Sequence, residues 1–267
     1  MPGLASKSIE RVLELSQEKI YIGFVDSRHL VGVPTSTQIE LIDLSLQAHT
    51  LGINKGSDGK YLSFEDSNFF NLVRLKWFLL REILLRHEAV VYTDLDVLWF
   101  KDITKEIANL FSRDVDVHAV VQDASTDIKS VSLCMGVFAL KRGAFAESLI
   151  TNCLELHSDG LTRYESYGDD NAIIDFYLNS GERHRIQRLP QSAYPIGKFS
   201  NLLLPFALKK GWSAEVPSIF HANYLMGLEA KVDAIELADR LVRIRSHSPF
   251  IRAFALLWTL IASTLRR

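Results

Sequence analysis

The stretch "EAVVYTDLDVLWFKD", residues 88–102, decides how this chain is read. An apolar run climbs to two carboxylates one residue apart, Asp94 and Asp96, and "VLWF" follows at once. Carboxylates pinned between buried segments are costly unless a positive group meets them. The candidates are a metal ion, an Arg or Lys, or a substrate that brings its own cation. A turn in which one Asp caps a following helix is the plainer alternative.

Working outward, "NFFNLVRLKWFLLREILLRH" has helical spacing, with apolar residues at Phe69, Val73, Trp77, Leu80 and Leu84 and with Asp66 or Ser67 placed to cap it. Further upstream, a helical pattern runs from about Ser6 to Glu18, and "KIYIGFVDS" reads as a strand ended by Asp26 and Ser27. Pro34, Thr35 and Ser36 read as the start of a helix that continues through "TQIELIDLSLQAHTLGI" and stops near Gly52. "NKGSDGK" is a loop by composition.

Downstream, "VDVHAVVQD" and "SLCMGVFALKRG" are strands, "AFAESLITNCLELHSDG" and "DDNAIIDFYLNSG" are helices, and "RIQRLP" is a short strand. Strands alternating with helices predict an α/β fold whose largely parallel sheet is covered on both faces. Ligands of such sheets gather beyond the carboxyl ends of the strands. Asp94 and Asp96 sit at that edge, which makes them a site candidate.

Composition bounds the rest. The chain has 267 residues, 48% apolar and 23% charged, which suits one large domain with a sizeable core. A net charge of −2 gives no overall attraction to nucleic acid. The two cysteines, Cys134 and Cys153, lie in apolar contexts and read as buried thiols rather than a disulfide framework. The first residues have no signal-peptide core, and no stretch reaches the about 20 apolar residues that span a bilayer.

Six arginines and no acidic residue follow from Arg240 onward, around the apolar "FALLWTLIASTL". That composition suits either a helix at a membrane interface or a terminal helix packed on the domain. The expected organisation is one domain over residues 1–239 and a basic apolar helix over 240–267. The expected location is cytoplasmic, with or without peripheral membrane contact, or the Golgi lumen if the chain is a fragment.

An Asp-x-Asp at a strand end can hold a divalent cation and a polyphosphate together, and hard oxygen ligands suit Mg²⁺ or Mn²⁺. At this point "RLKWFLLREILLRHEAVVYTDLDVLWFKD" resembles the nucleotide-diphospho-sugar transferase family, whose fold is of the GT-A type. "SLCMGVFALKRG", with Gly136, and "FHANYLMGLEAK", with His221, Asn223, Gly227 and Lys231, match further family segments in the right order. The resemblance covers roughly residues 60 to 232.

The resemblance implies a GT-A-like, Rossmann-type sheet and a metal-dependent transfer, with retention, from a nucleotide-diphosphate sugar (UDP-linked by expectation) to a glycan or lipid-linked acceptor. It implies that Asp96 ligates the metal, that Asp94 contacts the ribose or the metal, and that His221 is the third ligand. Lys231 would meet the β-phosphate, and Gly136 would sit beside the sugar. Arg74 and Lys76 face the diphosphate or lie on the exposed stripe of their helix. Asp169, Asp170 and Asn171 replace the family's Asp-Gln near the reacting carbon. A carboxylate there would stabilise positive charge or orient the acceptor hydroxyl.

Counting back from Asp94, "KIYIGFVDS" matches a second strand, which implies a chain without the opening strand. If it is the first strand instead, Val25, Asp26 and Ser27 are the base-side candidates. Two alternatives stand beside this reading: a haloacid-dehalogenase-type phosphohydrolase using Asp94 and Asp96, and a non-catalytic relative that binds a glycan or a partner.

Overall fold

A computed structural model of the chain describes residues 2–53, 67–123, 133–155, 174, 177, 179–196, 217–223 and 228–244. The elements in chain order are α1 (Pro2–Leu15), β1 (Ile20–Phe24), β2 (Ile39–Asp43), α2 (Ser45–Thr50), α3 (Ser67–Arg86), β3 (Ala89–Thr93), β4 (Val97–Trp99) and α4 (Ile103–Arg113). Then follow β5 (Ala119–Asp123), β6 (Leu133–Lys141), α5 (Ala144–Glu155), β7 (Ile186–Leu189), β8 (Ile219–His221) and α6 (Leu228–Ile244). The position between residues 239 and 240 falls inside α6.

The central sheet has the order β3-β6-β5-β7. β5 and β7 pair in parallel, while β6 is antiparallel to both β3 and β5. Strands β3, β5 and β7 therefore run one way and β6 alone opposes them. β1 and β2 form a separate parallel pair, and β4 and β8 a short antiparallel one. The expected α/β fold with a mostly parallel sheet is the one observed. Among the described residues, no strand precedes β1.

Helix α3 joins the two larger sheets because it carries two apolar stripes. Leu75, Leu79 and Ile83 face Leu44 and Ala48 beneath β1 and β2, while Trp77, Leu80 and Leu84 face the central sheet and α5. The opposite side of the central sheet is closed by Ile103, Ile107 and Phe111 of α4 with Val97, Trp99 and Ile219 of the small sheet. Cys134 and Cys153 are free and buried, as expected.

The expected helix from Pro34 through Gly52 is corrected. Ile39–Asp43 is a strand and only Ser45–Thr50 is helical. The parallel register that runs from Ile20↔Ile39 to Phe24↔Asp43 hydrogen-bonds this segment to β1, and that pairing overrides a helical spacing of apolar residues. The strands β4 and β8, of three residues each, were too short to announce themselves by periodicity. The helix-capping role belongs to Asp102, whose Oδ1 accepts the Thr104 amide at 3.2 Å, and not to Asp94 or Asp96.

One irregularity shapes the site. The β5–β6 register shifts between Val121 and Gln122, which face Phe138 and Cys134 respectively. Leu133 and Met135 consequently share a core face with Phe138 and Leu140, a change of phase that a regular strand forbids. Gly136 lies where the phase changes.

Phe138 is fully buried, with ring centroids 5.4 Å from Trp77 and 5.0 Å from Tyr92. Phe138→Ala is expected to lower unfolding free energy by about 3–5 kcal/mol in a denaturant titration. A loss under ~1 kcal/mol would show that this cluster does not anchor the sheet.

Candidate active site

The centre is built by two strand registers. On one side the β3–β6 ladder ends at Thr93↔Val137, and the Asp94 amide extends it by donating to the Gly136 carbonyl at 2.8 Å. On the other side β4 pairs with β8 so that Val97 lies opposite His221, next to Asp96. The Ala222 amide donates to the Asp96 carbonyl at 3.0 Å and continues that pairing. Residues remote in sequence thus meet because two short ladders end at the same place.

Three side chains here could hold a metal ion. One ligand atom each from Asp94, Asp96 and His221 lies within 4.8 Å of the others. His221 Nε2 is 3.4 Å from Asp96 Oδ1 and 4.0 Å from Asp94 Oδ2. That nitrogen is buried without a hydrogen-bond partner, aimed between two carboxylates. Two carboxylates and an imidazole are a donor set that fits Mn²⁺ or Mg²⁺, with the nitrogen favouring the softer of the two.

The carboxylates differ in surroundings. The Asp96 side chain is 10% exposed and that of Asp94 40%, so Asp94 opens toward solvent and Asp96 forms the floor. Lys231 of α6 donates from Nζ to Asp96 Oδ2 at 2.5 Å. Burial opposes the charge of Asp96, but His221 and Lys231 outweigh it and hold its pKa below the usual carboxylate range. Burial also opposes a charged His221, yet Cys134 and Asp96 raise its pKa to about 10. Loss of water on its inner side raises the Asp94 pKa, with Lys76 pulling the other way and Asp96 adding to the rise.

Behind Asp94 stands an aromatic and cationic wall. Tyr92 donates from its hydroxyl to Asp94 Oδ1 at 2.8 Å. Lys76 donates to the Met135 carbonyl at 3.1 Å, and its Nζ lies 5.3 Å from the Tyr92 ring centroid. Lys76 is therefore turned to the β6 backbone, from where its charge reaches Asp94. Arg74, two positions earlier and about 200° around the helix, is set against α5, where it donates to the Leu154 carbonyl. The structure brings Asp94, Asp96, His221, Lys231 and Gly136 together with Lys76, and it places Arg74 elsewhere.

Among the other predicted residues, Val25 packs under β1 with Leu44 and Ala48. Asp26 caps the turn at Ser27–Leu30 and pairs with Arg28. Asn223 donates from Nδ2 to Cys134 Sγ at 3.2 Å. Asp169, Asp170, Asn171, Gly227 and the basic segment beyond Ile244 lie outside the described residues. Sequence reasoning missed Gln122, Tyr92 and Cys134 at this site, where Tyr92 contacts Asp94 and the other two contact His221. A polar side chain closing the apolar "AVVQ" was the one signal for Gln122.

The chain has known relatives in sequence and in fold. The family profile described as nucleotide-diphospho-sugar transferase matches residues 43–235. A search of curated proteins finds no match. Among solved structures, the apo form of mouse xyloside xylosyltransferase 1 aligns with a TM-score of 0.52 at 11% identity, over 85% of this chain and 94% of the mouse protein. The apo-form glycosyltransferase GlyE of Streptococcus pneumoniae TIGR4 aligns with a TM-score of 0.52 at 15% identity, over 88% of this chain and 57% of that one.

At those identities the two structures speak for the fold. The profile match, which spans most of the chain, makes the class plain. The chain belongs to the nucleotide-diphospho-sugar transferase family and is a glycosyltransferase. That assignment displaces the phosphohydrolase reading of the acidic pair.

Gly136 leaves the space in which Asp94 and His221 approach one another. A Cβ at this position would lie 2.2 Å from His221 Cε1 and 2.8 Å from Asp94 Oδ2. The requirement is for space, not for an unusual backbone angle. Gly136→Ala is expected to fold with a loss of about 1–3 kcal/mol and to lose Mn²⁺ binding by calorimetric titration. Unchanged Mn²⁺ affinity would mean that these side chains do not act as a set.

Proposed function

We propose that this glycosyltransferase binds a UDP-linked sugar through a divalent cation, Mn²⁺ or Mg²⁺, held by Asp94, Asp96 and His221, and transfers the sugar with retention to a glycan or lipid-linked acceptor. The observation that carries the reading is the convergence of the three ligand atoms on one point at the sheet edge, with the unpartnered Nε2 of His221 aimed into it. The ion would supply neutralising charge to a diphosphate.

The chain's own residues do the rest of the binding. Asp96 is the enclosed ligand, hydrogen-bonded to Lys231 with the His221 ring 3.4 Å away, so its carboxylate stays ionised. Asp94 is the exposed ligand, oriented by Tyr92, and is placed to meet the ion or the nucleotide from the open side. Lys231 supplies a point charge at the same edge, suited to the oxygens of a departing diphosphate. We assign Asp169, Asp170 and Asn171 to the sugar side on the strength of the family pattern, and the basic segment beyond Ile244 to peripheral membrane contact on the strength of its composition.

Calorimetric titration of UDP and of GDP, with and without Mn²⁺, tests the donor site. Metal-dependent binding of one nucleotide is expected, abolished by Asp96→Asn and weakened about tenfold to hundredfold by Lys231→Ala, the span of a charged hydrogen bond. Binding that ignores Mn²⁺ or survives Asp96→Asn sinks the metal reading.

Liposome flotation tests the C-terminal assignment. Removal of residues 247–267 should abolish binding to anionic vesicles, and undiminished flotation of the truncated chain would discard the membrane contact.

A further inference from the structure

The His221 ring has two nitrogens, and the proposed centre uses one of them. What the other touches determines which nitrogen is free to bind a metal. Nδ1 lies 2.9 Å from Gln122 Oε1, and Cys134 Sγ is a weaker neighbour at 3.9 Å. Gln122 is fully buried at the end of β5, beside the register shift that separates it from Val121.

The orientation of the Gln122 amide is set by its other contacts. Its Nε2 donates to the Tyr194 carbonyl at 2.8 Å and to the Pro195 carbonyl at 3.3 Å. Backbone carbonyls only accept, so the amide NH₂ must face them and Oε1 must face the ring. An oxygen facing Nδ1 in turn requires that Nδ1 carry a proton. The Pro195 carbonyl also accepts the His221 amide at 3.1 Å, so one peptide group holds both the ligand's backbone and the side chain that orients its ring.

We infer that Gln122 is the positioning residue for the metal ligand His221. Held by the Tyr194–Pro195 carbonyls, it keeps a proton on Nδ1 and leaves Nε2 as the nitrogen that faces Asp94 and Asp96 and can take a metal there. This inference rests on the metal reading proposed above and deepens it. Gln122 touches neither donor nor acceptor in this role, so it acts only through His221.

The test uses the full chain labelled with ¹⁵N-histidine and Mn²⁺ alone as the probe. The wild-type protein should show a slowly exchanging His221 Nδ1–H resonance without metal. Gln122→Met, which keeps the length but removes the acceptor, should lose that protection and weaken Mn²⁺ binding by about 10–100-fold. Gln122→Leu, which removes the acceptor with a different side-chain shape, should show the same loss of protection and the same weakening. It decides the matter should the Met variant fail to fold.

The inference is overturned by a wild-type ring with no protected Nδ1–H. It is equally overturned by a Met or Leu variant that binds Mn²⁺ as tightly as wild type or that keeps the protected proton. A wild-type protein with the protected proton but no Mn²⁺ binding overturns the metal reading itself, and the positioning role with it.

Discussion

The antiparallel ladder between β4 and β8 is only three residues long on each side, yet it sets the register that places His221 across from Val97 and beside Asp96. The ladder is extended where the Phe100 and Lys101 amides both reach the Ser218 carbonyl, at 2.9 Å and 3.2 Å. A slip of one residue would turn His221 to the opposite face and leave Asp96 with one cationic neighbour instead of two. A carboxylate as enclosed as Asp96 tolerates that loss poorly. The pairing of two small strands and the charge balance of the centre are therefore one constraint seen from two sides.

The same economy appears on the β3 side. The helix–strand unit from α3 to β3 supplies a cation, an aromatic ring and a carboxylate in sequence, and they stack in space as Lys76, Tyr92 and Asp94. The phase change in β6 brings Gly136 to the one point where a side chain would separate Asp94 from His221. A regular β6 would present a Cβ alternately to each face and could not keep Met135 and Phe138 on one core face with an open gap between them. Core packing and ligand spacing are reconciled by one backbone irregularity.

Much of the architecture was legible because long elements carry strong signals. The α3 stripe of Trp77, Leu80 and Leu84 faces the core as its spacing implies, and β3, β5 and β6 occupy the expected segments. β2 was not legible: "IELID" reads equally well as one face of a helix, and only its parallel partner β1 decides the matter. Lys76 and Arg74 were indistinguishable as donor-site candidates on a helix alone. The sheet draws Lys76 toward Met135 and α5 draws Arg74 toward Leu154.

From its sequence, the chain determines the α/β alternation, the strand that ends in Asp94 and Asp96, and the demand that some cation satisfy them, because these are local properties of pattern and charge. The identity of the residues that answer the demand is a matter of tertiary structure. His221 and Lys231 reach Asp96 from β8 and α6, and Gln122 reaches His221 across the irregular edge of β5. None of those contacts leaves a periodic trace, because each depends on where separate elements end in space rather than on the residues within any one of them.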